Sequence, residues 1–192
     1  MSRASAAAAS RSVSETGSDF SADYFSLFAL PRRQMLDEAA LDQASRQLQA
    51  QVHPDRHARA DDAQRRLAMQ WSTRVNEAYQ TLKSPLRRAR YLLTLLGCDP
   101  EVENNTAMPA DFLLRQMELR EAVAEARAAG DESALDAARG QLLREMTASR
   151  QRLSELIDVQ HDLRAAAGLV RELMFQEKLL SEIDDAIEAV TS

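Results

Sequence analysis

The sequence predicts an all-α protein built from two modules, and three observations carry that reading. Only five glycines and five prolines occur in 192 residues, with 45% hydrophobic and 5% aromatic composition. This is a chain of helix formers with short connections and enough apolar mass for a core. Apolar residues recur every three or four positions, and no strand-like alternation is present. Charge is also divided unevenly beneath a net of −6. Residues 24–96 carry 12 Lys/Arg against 7 Asp/Glu, or +5, whereas residues 97–192 carry 10 against 20, or −10. That asymmetry marks two differently charged modules.

Residues 1–19 are small and polar, and residues 1–22 read as a disordered tail. Asp23-Tyr24-Phe25-Ser26-Leu27-Phe28-Ala29-Leu30-Pro31 opens the ordered chain as an aromatic helical turn. Asp37 then suits an N-cap, with Leu41, Ala44, Leu48 and Val52 at helical spacing after it. Pro54 disfavours helical geometry at His53 and ends that helix. Asp61 or Asp62 caps the next, whose stripe is Leu67, Trp71, Val75, Ala78, Tyr79 and Leu82. The pair predicts an antiparallel helical hairpin with His53-Pro54-Asp55 at its tip. Ser84-Pro85 starts a further helix ended by Gly97. "GCDPEVENNTAM", residues 97–108, is the predicted linker. Helices over about 109–129, 132–158 and 162–190 follow, broken at Gly130 and near Val159-Gln160-His161-Asp162. They predict a three-helix bundle over residues 109–192.

Several function classes are excluded on inventory. Cys98 is the single cysteine, which leaves no disulfide framework. No run of about 18 apolar residues is available to span a membrane. His53 and His57 are separated by a proline that prevents a common helix face, so no metal site is expected. There is no phosphate loop and no nucleophile motif, and Asp184-Asp185 point about 100° apart on a helix, so no enzyme is predicted. The run Arg87-Arg88-Ala89-Arg90 lacks interleaved aromatics in an acidic chain, so nucleic acid is not expected.

Helical geometry singles out the helix after residue 109. At about 100° per residue, Phe112, Leu119, Val123 and Ala126 lie within about 60° of one another. Leu113, Leu114 and Met117 fall on the far side, with Glu121 among them and Glu118 at the edge. In the last helix Leu169, Val170, Leu173, Leu180, Ile183 and Ile187 form one stripe, and Phe175 is expected on the opposite side. A large apolar cluster facing away from a core reads as an interaction surface.

The stretches "DYFSLFALP", "HPDR", "NEAYQTLKSPLRRARYLL" and "FLLRQMELRE" together resemble the HscB family of J-domain co-chaperones of iron–sulfur cluster assembly, over about residues 23–190. The resemblance implies a J-domain over residues 23–96 and a scaffold-binding bundle over 109–192. It implies that His53, Pro54 and Asp55 stimulate ATP hydrolysis by the DnaK-class chaperone HscA, with Arg46 and Arg56 as contacts and Arg59, Arg65 and Arg66 at the rim. It further implies delivery of the scaffold protein IscU, bound through Leu113, Leu114, Met117, Glu118, Glu121 and Phe175, with no cofactor. Val52 and Arg56 stand where many J-domains carry an aromatic residue and a lysine. The tail lacks the paired CxxC motifs of some eukaryotic relatives, which points to a bacterial cytoplasmic protein. A general J-protein serving a housekeeping DnaK, and a helical adaptor with no ATPase role, are the alternative readings.

Overall fold

The computed structural model describes residues 20–52, 61–100 and 108–191. Residues 1–19 of the predicted tail, His53-Pro54-Asp55 and most of the predicted linker lie outside them. Among the described residues there is no strand. The elements are α1 (Tyr24–Leu27), α2 (Glu38–Val52), α3 (Asp62–Lys83), α4 (Pro85–Leu95), α5 (Ala110–Ala129), α6 (Glu132–Glu155) with a π-helical turn at Leu156–Gln160, and α7 (Leu163–Thr191).

Short polar side chains start most of these helices by accepting the backbone N–H groups that the first turn leaves without partners. Asp23 accepts from Phe25 and Ser26 at 3.0 and 3.1 Å. Asp37 accepts from Ala39 and Ala40, Asp61 from Gln64, and Asp131 from Ala134. Ser84 caps α4 with Pro85 in the first turn. Gly130 ends α5 at φ +66°, in the left-handed region where a glycine carries no Cβ penalty.

The chain divides into two compact units. The first comprises residues 20–32 and 36–83 of the described chain, with Phe25, Leu41, Val75, Ala78 and Leu82 fully buried between α1, α2 and α3. Its hairpin register is pinned by polar bonds across α2 and α3. Lys83 Nζ lies 2.9 Å from Asp42 and 3.3 Å from Glu38, Tyr79 donates to Asp42 at 3.0 Å, and Gln49 donates to Asn76 at 2.8 Å.

The second unit comprises Arg33–Met35 and everything from Ser84 onward. Helices α5, α6 and α7 pack around Leu135, Leu142, Met146, Leu153, Val170, Leu173, Leu179 and Ile183, all fully buried. Helix α4 packs on α7, and its Ala89, Leu92 and Leu93 are also fully buried. The compact units therefore part before α4, at Lys83 and Ser84, whereas the sequence reading kept α4 with the first module and parted the chain at 97–108. An apolar stripe on α4 states that the helix is covered and not by what.

Two further features lie outside the sequence reading. The helix expected to run to residue 158 loosens into the π turn, which ends at His161 with φ +54°. Within that turn Asp158 accepts the backbone N–H groups of Gln34 at 2.8 Å and Met35 at 2.7 Å, one on each carboxylate oxygen. Gln34 is itself buried, and its amide nitrogen donates to the Pro85 carbonyl at 2.9 Å.

Candidate interaction surfaces

On the hairpin, His53, Pro54, Asp55 and Arg56 lie outside the described residues, as does Arg59. Val52, the last residue of α2, is buried, so it fills a core position directly before them. Arg46 is exposed on α2. The two acids nearest it along that helix are engaged elsewhere. The hydrogen bond from Lys83, and then that from Tyr79, hold the Asp42 carboxyl below its ordinary range, while Asp42 holds Lys83 above its own. Glu38 shares the same lysine. Arg46 adds a Coulombic attraction to Asp42 without closing an ion pair, Arg66 forms no ion pair among the described residues, and Arg65 pairs with Asp62.

In the second unit α5 carries apolar residues on two faces. Phe112, Gln116, Val123 and Ala126 are buried against the bundle. On the far side Leu113 is 38% exposed and Leu114 and Met117 are each 58% exposed. Glu118 and Glu121 are exposed beside them. No helix among the described residues covers this ridge, and leaving three large apolar side chains together in water is a cost that a partner would remove.

Phe175 occupies a different place from the one its helical position predicts. It is half-buried, its ring edge-on to Phe112 at 6.0 Å between centroids, with the Arg120 guanidinium 4.8 Å over its face. Helix α7 packs against α4, α5 and α6, and from Ala166 to Gln176 every position on it is buried or half-buried. Arg120 stands seven residues from Leu113, about 20° round the helix and about 10 Å along it. Phe175 therefore flanks the ridge through Arg120, which also chelates Glu182 through Nε at 3.1 Å and Nη2 at 3.2 Å. The sequence reading missed Arg120, since nothing in its local pattern distinguishes it from any solvated arginine.

Near the start of α5, burial pushes the Glu172 carboxyl above its ordinary value, with Arg115 and Arg171 opposing the shift and Asp111 adding to it. A raised carboxyl means that ionisation is tolerated less well folded than unfolded. The resulting cost is absent below the ordinary carboxylate range and complete above the raised value. Glu172→Gln is therefore expected to raise the unfolding temperature at about pH 7.5, the difference from wild type vanishing near about pH 4. Circular dichroism melts at the two pH values check this, and an equal offset at both would contradict it.

Among the described residues no group of His, Cys, Asp or Glu is placed to hold a metal ion, and no helix is long and apolar enough to cross a membrane. Cys98 is half-buried, with its sulfur 3.5 Å from the Leu163 carbonyl.

Comparison with known proteins fits this architecture. Residues 108–184 match the family described as the HSCB C-terminal oligomerisation domain. The proteins named co-chaperone protein HscB homolog from Aromatoleum aromaticum and Burkholderia multivorans are 52% and 54% identical to this chain. Those matches cover 90% and 86% of this chain, and 97% and 94% of the two relatives. The structure of chaperone HscB from Vibrio cholerae is similar at a TM-score of 0.74 and 38% identity, covering 85% of this chain and 96% of that one. The human co-chaperone HscB is similar at 0.80 and 30%, covering 86% and 82%. With half its residues shared across nearly the full length of such relatives, and the same helical architecture, the chain belongs to the HscB co-chaperone family.

Proposed function

We propose that this protein is a bacterial cytoplasmic co-chaperone that binds the iron–sulfur scaffold protein IscU through its C-terminal unit and stimulates the ATPase of the DnaK-class chaperone HscA through its hairpin. The observation that carries the client half is the uncovered ridge of Leu113, Leu114 and Met117, edged by Glu118 and Glu121 and flanked by Phe175. A folded client bringing apolar and basic groups would bury the ridge and match its acids. For the ATPase half, the sequence between α2 and α3 contains His53, Pro54 and Asp55, and the exposed cations Arg46 and Arg66 suit an acidic partner surface. Arg56 follows directly in that sequence. Holding chaperone and client on one chain couples capture of the client to hydrolysis.

The test is steady-state ATP hydrolysis by the HscA-type chaperone with its scaffold protein, in the presence of wild type or of His53→Gln. Stimulation by wild type that His53→Gln loses is the expected result. Absence of stimulation by either would overturn the ATPase role and leave a binding adaptor.

A further inference from the structure

Next to Phe175, on the far side of Arg120, an open groove of about 570 Å³ runs between α5 and α7. Its floor is apolar: Val123 is 7% exposed, Ala186 1% and Leu179 fully buried. Its α5 rim is made of Ala124 and Ala128, both exposed and too short to fill it. Arg120 forms the wall that the groove shares with Phe175, and its charge is taken up by Glu182. Arg127, on the same rim, is exposed and meets no carboxylate among the described residues. The groove therefore carries one uncompensated cation in a region, residues 97–192, where acids outnumber bases 20 to 10.

This sets the groove apart from the ridge. The ridge is apolar with acidic neighbours, and the groove is apolar with a basic one. They are continuous through Arg120, and Ala128 lies fifteen residues beyond Leu113, about 22 Å along the helix. We infer that the scaffold protein's footprint extends from the ridge into this groove, which receives a client segment that presents an apolar side chain beside a carboxylate, the carboxylate meeting Arg127. This inference rests on the proposed client binding and deepens it. The ridge orients the client's basic and apolar surface, and the groove reads a second point of opposite sign, so that a generic hydrophobic protein would satisfy only one of the two.

The experiment is titration of the purified scaffold protein into the full chain by calorimetry, with sedimentation of each variant alone. Ala124→Leu/Ala128→Leu, which fills the groove from exposed helical positions, is expected to weaken binding about tenfold. Arg127→Glu is expected to weaken it at least about fivefold, less so at high salt, with Arg127→Lys restoring most of the affinity. Leu114→Ala/Met117→Ala serves as the control for the ridge. Loss of affinity in the control with the groove variants within about twofold of wild type would overturn the extension and leave the ridge standing. No loss in any variant would overturn both. Unchanged affinity with altered self-association in the groove variants would assign the groove to a second copy of this chain and overturn the inference.

Discussion

Leu114→Ala/Met117→Ala is expected to lower affinity for the scaffold protein about a hundredfold while leaving the unfolding temperature within about 2 °C of wild type. Both residues keep more than half of their surface in water, so folding gains little from them and truncation loses little. Alanine also suits an exposed helical position at least as well as leucine or methionine. In a complex the same side chains would be the fully desolvated apolar anchors. About 1.4 kcal/mol lost at each, modest for such anchors, multiplies to a hundredfold. Calorimetric titration with the scaffold protein, beside a thermal melt, reads both quantities. An affinity within about threefold of wild type would remove the ridge from the client site. Phe175 is deliberately left intact in this variant. Its ring packs on Phe112, which is 3% exposed, so truncating it would confound loss of binding with loss of packing.

The second large effect falls on stability and contrasts with the first through a chemically identical side chain. Met146 on α6 is fully buried, where Met117 on α5 is 58% exposed. Met146→Ala removes apolar surface from the bundle interior and leaves a cavity that neighbouring helices close only in part. The expected cost is about 3 kcal/mol, a fall of about 10 °C in the unfolding temperature. Urea unfolding should show a lower midpoint, with scaffold affinity unchanged for the fraction that remains folded. A midpoint equal to wild type would mean that α6 is not part of the bundle core.

These two methionines show how much the residue pattern declares. Whether a side chain on α5 faces inward or outward follows from its angle about the helix, and Leu113, Leu114 and Met117 could be set apart from Phe112 and Val123 on that basis alone. Helix starts at Asp37, Asp61 and Ser84 were equally legible, because capping is a contact within three residues of chain. Features that depend on distant chain were not. Gln34 lies between helices in sequence and is nevertheless 2% exposed, with Asp158 accepting its backbone N–H and the Pro85 carbonyl its side-chain N–H. The helical position of Phe175 predicts a side opposite the apolar stripe, whereas the stretch from Ala166 to Gln176 has no exposed position. The stripe on α4 declares burial, while its partner helix begins at residue 163. Arg120 acts through Phe175 and Glu182, neither of which is near it in sequence.

The Asp158 carboxylate has a bearing on the order in which the chain can be finished during synthesis. Gln34 emerges from the ribosome 124 residues before the side chain that accepts its backbone N–H. Helices α1 to α3, whose mutual contacts are complete by Lys83, can assemble while the rest is still being made. The link between the first two of those helices cannot. It waits, its amides served by water, until the π turn has been translated, so the N-terminal half of this chain reaches its final covalent path through space only after most of the C-terminal half exists.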